Sequence, residues 1–303
     1  MHIYLPIAGE AVNAVFIVVL GFVVGLLSGM FGVGGGFLTT PLLIFYGIPP
    51  TVAVASATTQ ITGASVSGAM AHMRRGGADL KMAGVMIVGG LFGSLFGVGI
   101  FRMLQASGQI DIVIDGLYVL ILGWIGFVML KESLVALGYV RTNGDPRPAP
   151  RHNRWVASLP LRWRFYRSGL YISPLAPLAL GLGAGMLTVL LGIGGGFILV
   201  PAMIYLLGMP ARVVIGTSLI MVLTVSASTT MIHALTTRAV DIVLAALLLV
   251  GGVVGAQYGA VLTTRLKPDY LRLALGIIIM LVALRMVLGL FWRPDEIFSI
   301  EYL

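Results

Sequence analysis

Apolar stretches of about 20 residues recur along the whole chain, each long enough to cross a ~30 Å hydrocarbon layer. Turn residues and charges divide the pattern into segments near 11–31, 36–47, 51–72, 81–104 and 111–137. A second set follows near 170–191, 196–208, 212–234, 239–263 and 269–291. The second segment of each set is short: 12 or 13 residues reach under ~20 Å as a helix. Between the sets lies "GYVRTNGDPRPAPRHNRWVASLPLRWRFYRS", a basic, proline-bearing stretch.

The two sets are copies of one another. At an offset of about 160, Gly32-Val33-Gly34-Gly35-Gly36-Phe37 matches Gly192-Ile193-Gly194-Gly195-Gly196-Phe197, and Pro41 matches Pro201. His72 then falls on His233, Asp79 on Asp241, and "GGLFGSLFG" on "GGVVGAQYG". Chance likeness of apolar segments does not align Gly, Pro, His and Asp together. The predicted fold is an all-α polytopic membrane protein. It has two repeats (1–137 and 169–303) of about five helical segments each, joined by the linker 138–168. Internal repeats of this kind typify secondary transporters.

Composition agrees. Of 303 residues, 58% are hydrophobic and only 10% charged, where a soluble domain carries about 25% charged residues. The first apolar run lacks a basic flank and a small-residue cleavage site, so it reads as a retained span rather than a signal peptide. There are no cysteines, so disulfides, thiolate metal sites and iron–sulfur clusters are excluded. The net charge of +8 belongs to loops beside spans and does not indicate nucleic-acid binding. Seven arginines in the linker face one aspartate, which puts the linker in the cytoplasm by the positive-inside rule. An odd number of segments per repeat turns the second repeat upside down. Every strongly basic loop, including those with Arg74, Arg75, Lys81, Arg212, Arg265 and Lys267, then lies inside, and both termini lie in the periplasm of a bacterial inner-membrane protein. An eight-span arrangement with the short segments flat or re-entrant is the rival.

The glycine runs are the chemical feature. Glycines this dense weaken a helix, and backbone groups freed from the ladder inside a bilayer need another partner. A short helix starting at Gly36 or Gly196 points its positive dipole end back at the break, which suits an anion. Close helix packing by small residues is the plainer explanation, and it is the better one for "GFVVG", "GLFGSLFG" and "GVVGAQYG". For the two G-x-G-G-G runs the break is preferred, because a proline follows five residues later in both. Neither run fits a dinucleotide fingerprint or a P-loop. Candidate substrate contacts are therefore Gly34, Gly35, Gly36, Gly194, Gly195 and Gly196. The hydroxyl and amide side chains Thr39, Thr40, Ser56, Thr58, Thr59, Gln60, Thr217 and Ser218 complete the set. Most Ser and Thr in helices bond their own carbonyls, and Gln60 is the hardest to explain that way. His72, His233 and Arg212 are candidates for gating or proton coupling, although histidines at helix ends are more often interfacial. No metal cluster, cofactor motif or catalytic constellation is present in the sequence, so an enzyme is not expected. The partners expected are the lipid bilayer and a small anion, with homodimerisation left open.

The duplicated "GxxxGxGGGFxxxP", with "VASATT" and "IGTSL" behind it and the "H…D…GGxxG" tail, resembles the TauE/SafE family of sulfite exporters over nearly the whole chain. That resemblance implies a carrier of sulfite or an organosulfonate such as sulfoacetate. A small-anion channel and a carrier of another organic anion are the alternatives. "TTQIT" in the first half is answered by "LIMVL" in the second, so a role for Gln60 has no symmetric counterpart.

Overall fold

The computed structural model describes residues 2–31, 36–74, 77–136, 160–263 and 268–291. Each half opens with a two-stranded antiparallel hairpin: β1 (His2–Tyr4) with β2 (Ala11–Asn13), and β3 (Trp163–Phe165) with β4 (Leu170–Ile172). Five helices follow in the first half: α1 (Ala14–Phe31), α2 (Gly36–Phe45), α3 (Pro50–Arg74), α4 (Leu80–Ala106) and α5 (Ile110–Ala136). The second half repeats the order with α6 (Leu175–Leu191), α7 (Gly196–Tyr205), α8 (Ala211–Ile232), α9 (Ile242–Thr263) and α10 (Pro268–Phe291). Four helical stretches among the described residues are long and apolar enough to cross a membrane, within α4, α5, α8 with its π-helical end, and α9.

The hairpins correct the all-helical expectation, and β3–β4 begins inside the stretch read as linker. Their turns are set by Gly9 and Gly169, both at positive φ, a conformation glycine adopts without steric cost.

Packing is governed by glycine. A Cβ on Gly21, Gly25 or Gly29 would strike the backbone of Leu248, Gly252 or Ala256 in turn, at 2.6, 2.2 and 2.1 Å. Both registers advance together, so α1 and α9 run parallel at backbone contact. Gly89, Gly93 and Gly185 make the matching contacts with Leu178, Leu182 and Gly90, so α4 and α6 are also parallel. Small residues give this close approach its van der Waals energy in a bilayer, where apolar side chains gain little by leaving lipid. The first helix of each half thus packs on the fourth helix of the other. Corresponding helices meet antiparallel. Thr59 of α3 touches Thr230 of α8 while Gly77, just past α3, faces Gly216. In the same way Gly126 of α5 faces Ile279 of α10 and Gly276 faces Leu130. In each of these contacts a helix of one half meets a helix of the other. Phe37 and Phe197 likewise stack, with centroids 4.3 Å apart.

Candidate functional site

α6 ends at Leu191 and α7 begins at Gly196. Between them Gly192, Gly194 and Gly195 hold φ of 66°, 70° and 71°, left-handed conformations that cost a residue with a Cβ roughly 1–2 kcal/mol each. Residues 191 to 197 are all buried. The N–H groups of Ile198 and Leu199 bond the Gly195 carbonyl. Those of Gly194, Gly195, Gly196 and Phe197 have no acceptor among the described residues. Buried backbone donors without a partner are rare, and these lie at and just before the start of α7, the positive end of a helix dipole.

The end of α6 is tied to other helices through two of its carbonyls. The Leu191 carbonyl, left over at the end of α6, accepts from Thr40 Oγ1 at 3.3 Å and from the Tyr118 hydroxyl, both in the first half. Val189 O lies 3.2 Å from His233 Nε2. These two acceptors, which would otherwise repel an anion, are thereby taken up.

Gly34 and Gly35 lie outside the described residues, as do the side chains of His72 and Arg212. Gly36 is described, and a Cβ there would come within 2.8 Å of Gly192 O and 1.9 Å of Ile61 Cδ1. The start of α2 therefore abuts the break of the other half. Ile61 also faces Gly194, whose hypothetical Cβ lies 2.8 Å from Ile61 Cγ2 and 3.3 Å from Val222 Cγ1.

The polar candidates separate into groups. Thr58, Thr59 and Ser218 donate to carbonyls of their own helix, Val54, Ala55 and Ile215. Gln60 is a brace: its Oε1 accepts from Thr39 Oγ1 at 3.0 Å, and its Nε2 donates to Leu248 O at 3.4 Å. Ser56 and Thr217 belong to two matching clasps at opposite ends of α3. Thr217 Oγ1 accepts from the Asp79 N–H at 2.9 Å, and Ser56 Oγ from the Asp241 N–H at 3.2 Å. The Asp79 carboxylate caps α4 at Met82 and takes the N–H and hydroxyl of Ser168 in the second hairpin. The Asp241 carboxylate caps α9 at Val243 and Leu244 and takes the Ile7 N–H of the first hairpin. Each buried aspartate thus pins the hairpin of the opposite half.

His233 is buried against α6 and α4. It is fully enclosed, with Thr237 Oγ1 3.2 Å from Nδ1 and Phe101 edge-on at 5.1 Å. One site neighbour, Thr188, escaped the sequence reading; its hydroxyl donates to Ala184 O of its own helix at 2.7 Å. Thr188 lies one turn before the break, its Oγ1 3.4 Å from a Cβ placed on Gly195, and Ser28 occupies the same position in the first half. A hydroxyl four residues ahead of Gly32 and of Gly192 was the available signal. Separately, an apolar groove of about 860 Å³ between α5 and α7 carries Glu132 at its edge, bonded by Tyr205. Its lining is unsuited to an anion.

The architecture is mostly helical, with four helical stretches among the described residues apolar and long enough to cross a membrane. The sequence profile described as Sulfite exporter TauE/SafE matches residues 17–286, and the chain belongs to that family. It is 30% identical to the probable membrane transporter protein YjnA of Bacillus subtilis, over 90% of this chain and 100% of that protein. It is 27% identical to a probable membrane transporter protein of Xylella fastidiosa, over 90% and 93% of the two chains. A shorter stretch, 26% of this chain and 19% of the other, is 34% identical to Sulfite exporter TauE/SafE family protein 6 of Arabidopsis thaliana. No solved structure matches the chain. The protein is a membrane transporter of this family.

Proposed function

We propose that the chain is a secondary carrier exporting a small sulfur-containing anion, sulfite or an organosulfonate such as sulfoacetate, across the bacterial inner membrane by alternating access. The observation that carries this reading is the set of buried N–H groups from Gly194 to Phe197 at the start of α7, which have no acceptor among the described residues. Such donors suit oxygens of an anion and leave no fixed positive charge to trap it. In this reading Gly34, Gly35 and Gly36 supply the equivalent donors from the first half, and Thr188 and Ser28 flank them. The antiparallel pairing of α3 with α8 and of α5 with α10 supports inverted-topology repeats. Rocking of one repeat on the other then exposes the site alternately. Export needs no further coupling to be downhill, because an anion leaving a negative interior gains about 2.3 kcal/mol per charge per 100 mV.

The test is thermal unfolding of purified protein against sulfite, thiosulfate, sulfate, sulfoacetate, taurine, acetate and chloride, followed by counterflow in proteoliposomes. A ligand that binds only the folded state raises its stability. A selective rise with a sulfur oxyanion or sulfonate, lost in Gly195→Ala, is the expected result. A folded protein that responds to none of them and shows no counterflow overturns the reading.

A further inference from the structure

Two buried hydroxyls are not used by anything described so far. Ser65 Oγ and Ser226 Oγ have no hydrogen-bond partner among the described residues, and the residues are 1% and 0% exposed. Six other serines and threonines of the two helices, Thr58, Thr59, Thr62, Thr217, Thr224 and Ser228, bond the carbonyl four residues back. These two decline that bond although a helix always offers it. They are also counterparts: the offset of about 160 that aligns the two halves places Ser65 on Ser226.

Their placement is informative. Ser65 is one turn beyond Ile61 on the same face of α3, and Ser226 is one turn beyond Val222 on the same face of α8. Ile61 and Val222 are the side chains closest to Gly194. Along the antiparallel pair, Ser65 lies about 9 Å from Thr59 and Ser226 about 6 Å from Thr230, the two threonines being in contact. The serines therefore stand at nearly the same depth, one turn from the glycine break. A pair at that position is met by a substrate from either side.

We infer that Ser65 and Ser226 form a second pair of donors on the anion's path, each offering its hydroxyl to an oxygen of a sulfur oxyanion or sulfonate. The inference rests on the anion-carrier reading above. An unpartnered buried hydroxyl is costly in the empty protein and is repaid when a charged acceptor arrives. Removal should therefore weaken binding without loosening the fold.

The experiment titrates sulfite and sulfoacetate against wild type, Ser65→Ala, Ser226→Ala, the double variant, Gly195→Ala and, as a control, Ser94→Ala, whose hydroxyl already bonds Gly90 O. Each serine variant should lose about ten-fold in apparent affinity and the double variant about a hundred-fold. Unfolding temperatures without anion should stay the same or rise, and Ser94→Ala should bind like wild type. If the double variant binds like wild type while Gly195→Ala does not, the inference fails and the backbone site stands. A fall in the anion-free unfolding temperature with unchanged affinity would make the serines packing residues and also overturns it. No response from wild type to either anion removes both readings together.

Discussion

At the scale of single residues, the decisive distinction is whether a polar group has already been spent. Gln60 attracts attention in the sequence as an amide in an apolar helix, yet both ends of that amide are taken by Thr39 and Leu248. A Cβ on Gly252 would sit 2.8 Å from Gln60 Nε2, so the amide also fills the gap at the α1–α9 contact. Gln60→Ala should lower stability by about 1–3 kcal/mol, the cost of leaving buried partners unmet. Thermal unfolding measures it, and the anion affinity of the surviving folded protein should be close to wild type. A large loss of affinity at unchanged stability would instead make Gln60 a ligand residue. The sequence cannot separate these cases, because which acceptor a side chain reaches depends on a neighbour nearly 190 positions away. Serine is the reverse case: Ser65 and Ser226 look like ordinary helix hydroxyls until their lack of a partner among the described residues is seen.

At the scale of elements, helix boundaries were legible, including the end of α6 at Leu191 and the start of α7 at Gly196. Apolar run length and the G-x-G-G-G-F spacing give all ten helices nearly in place, since those signals are local. The hairpins were not: Tyr4 pairs with Ala11 and Phe165 with Leu170 across short turns, and three-residue strands leave no periodicity to read. Nor were the clasps, although the alignment of Asp79 with Asp241 pointed to a shared duty. Each carboxylate satisfies the first N–H groups of a helix and holds the hairpin of the opposite half. Asp79→Asn and Asp241→Asn keep the shape but aim an NH₂ at donors, and each should cost about 1.5–3 kcal/mol. The clasps stand at the two ends of a 25-residue helix, about 35 Å long. Their effects in a double variant should therefore add to within about 0.5 kcal/mol. Denaturation of the singles and the double checks both statements. Strong non-additivity would show that the two ends communicate through α3.

At the scale of the molecule, two equivalent halves can be related by translation along the membrane or by inversion across it, and the hairpins discriminate. They are the same element in each half, each packed against an aspartate of the other. With inverted repeats, β1–β2 and β3–β4 lie on opposite faces; with parallel repeats they lie on one face. The helix directions argue for inversion: α1 runs with α9, α4 with α6, and α3 against α8. Charge argues the same way, since Arg162, Arg164 and Arg167 surround the second hairpin while the first carries Glu10 and no arginine or lysine. The chain contains no cysteine, so single replacements report without background. Glu10→Cys and Tyr166→Cys are both at exposed turn positions. In intact cells an impermeant thiol reagent should label Glu10→Cys, and should reach Tyr166→Cys only after permeabilisation. Labelling of both from one side would place the two hairpins on one face. It would then remove the geometric basis for two glycine breaks meeting at the middle of the membrane, and with it alternating access by rocking of inverted repeats.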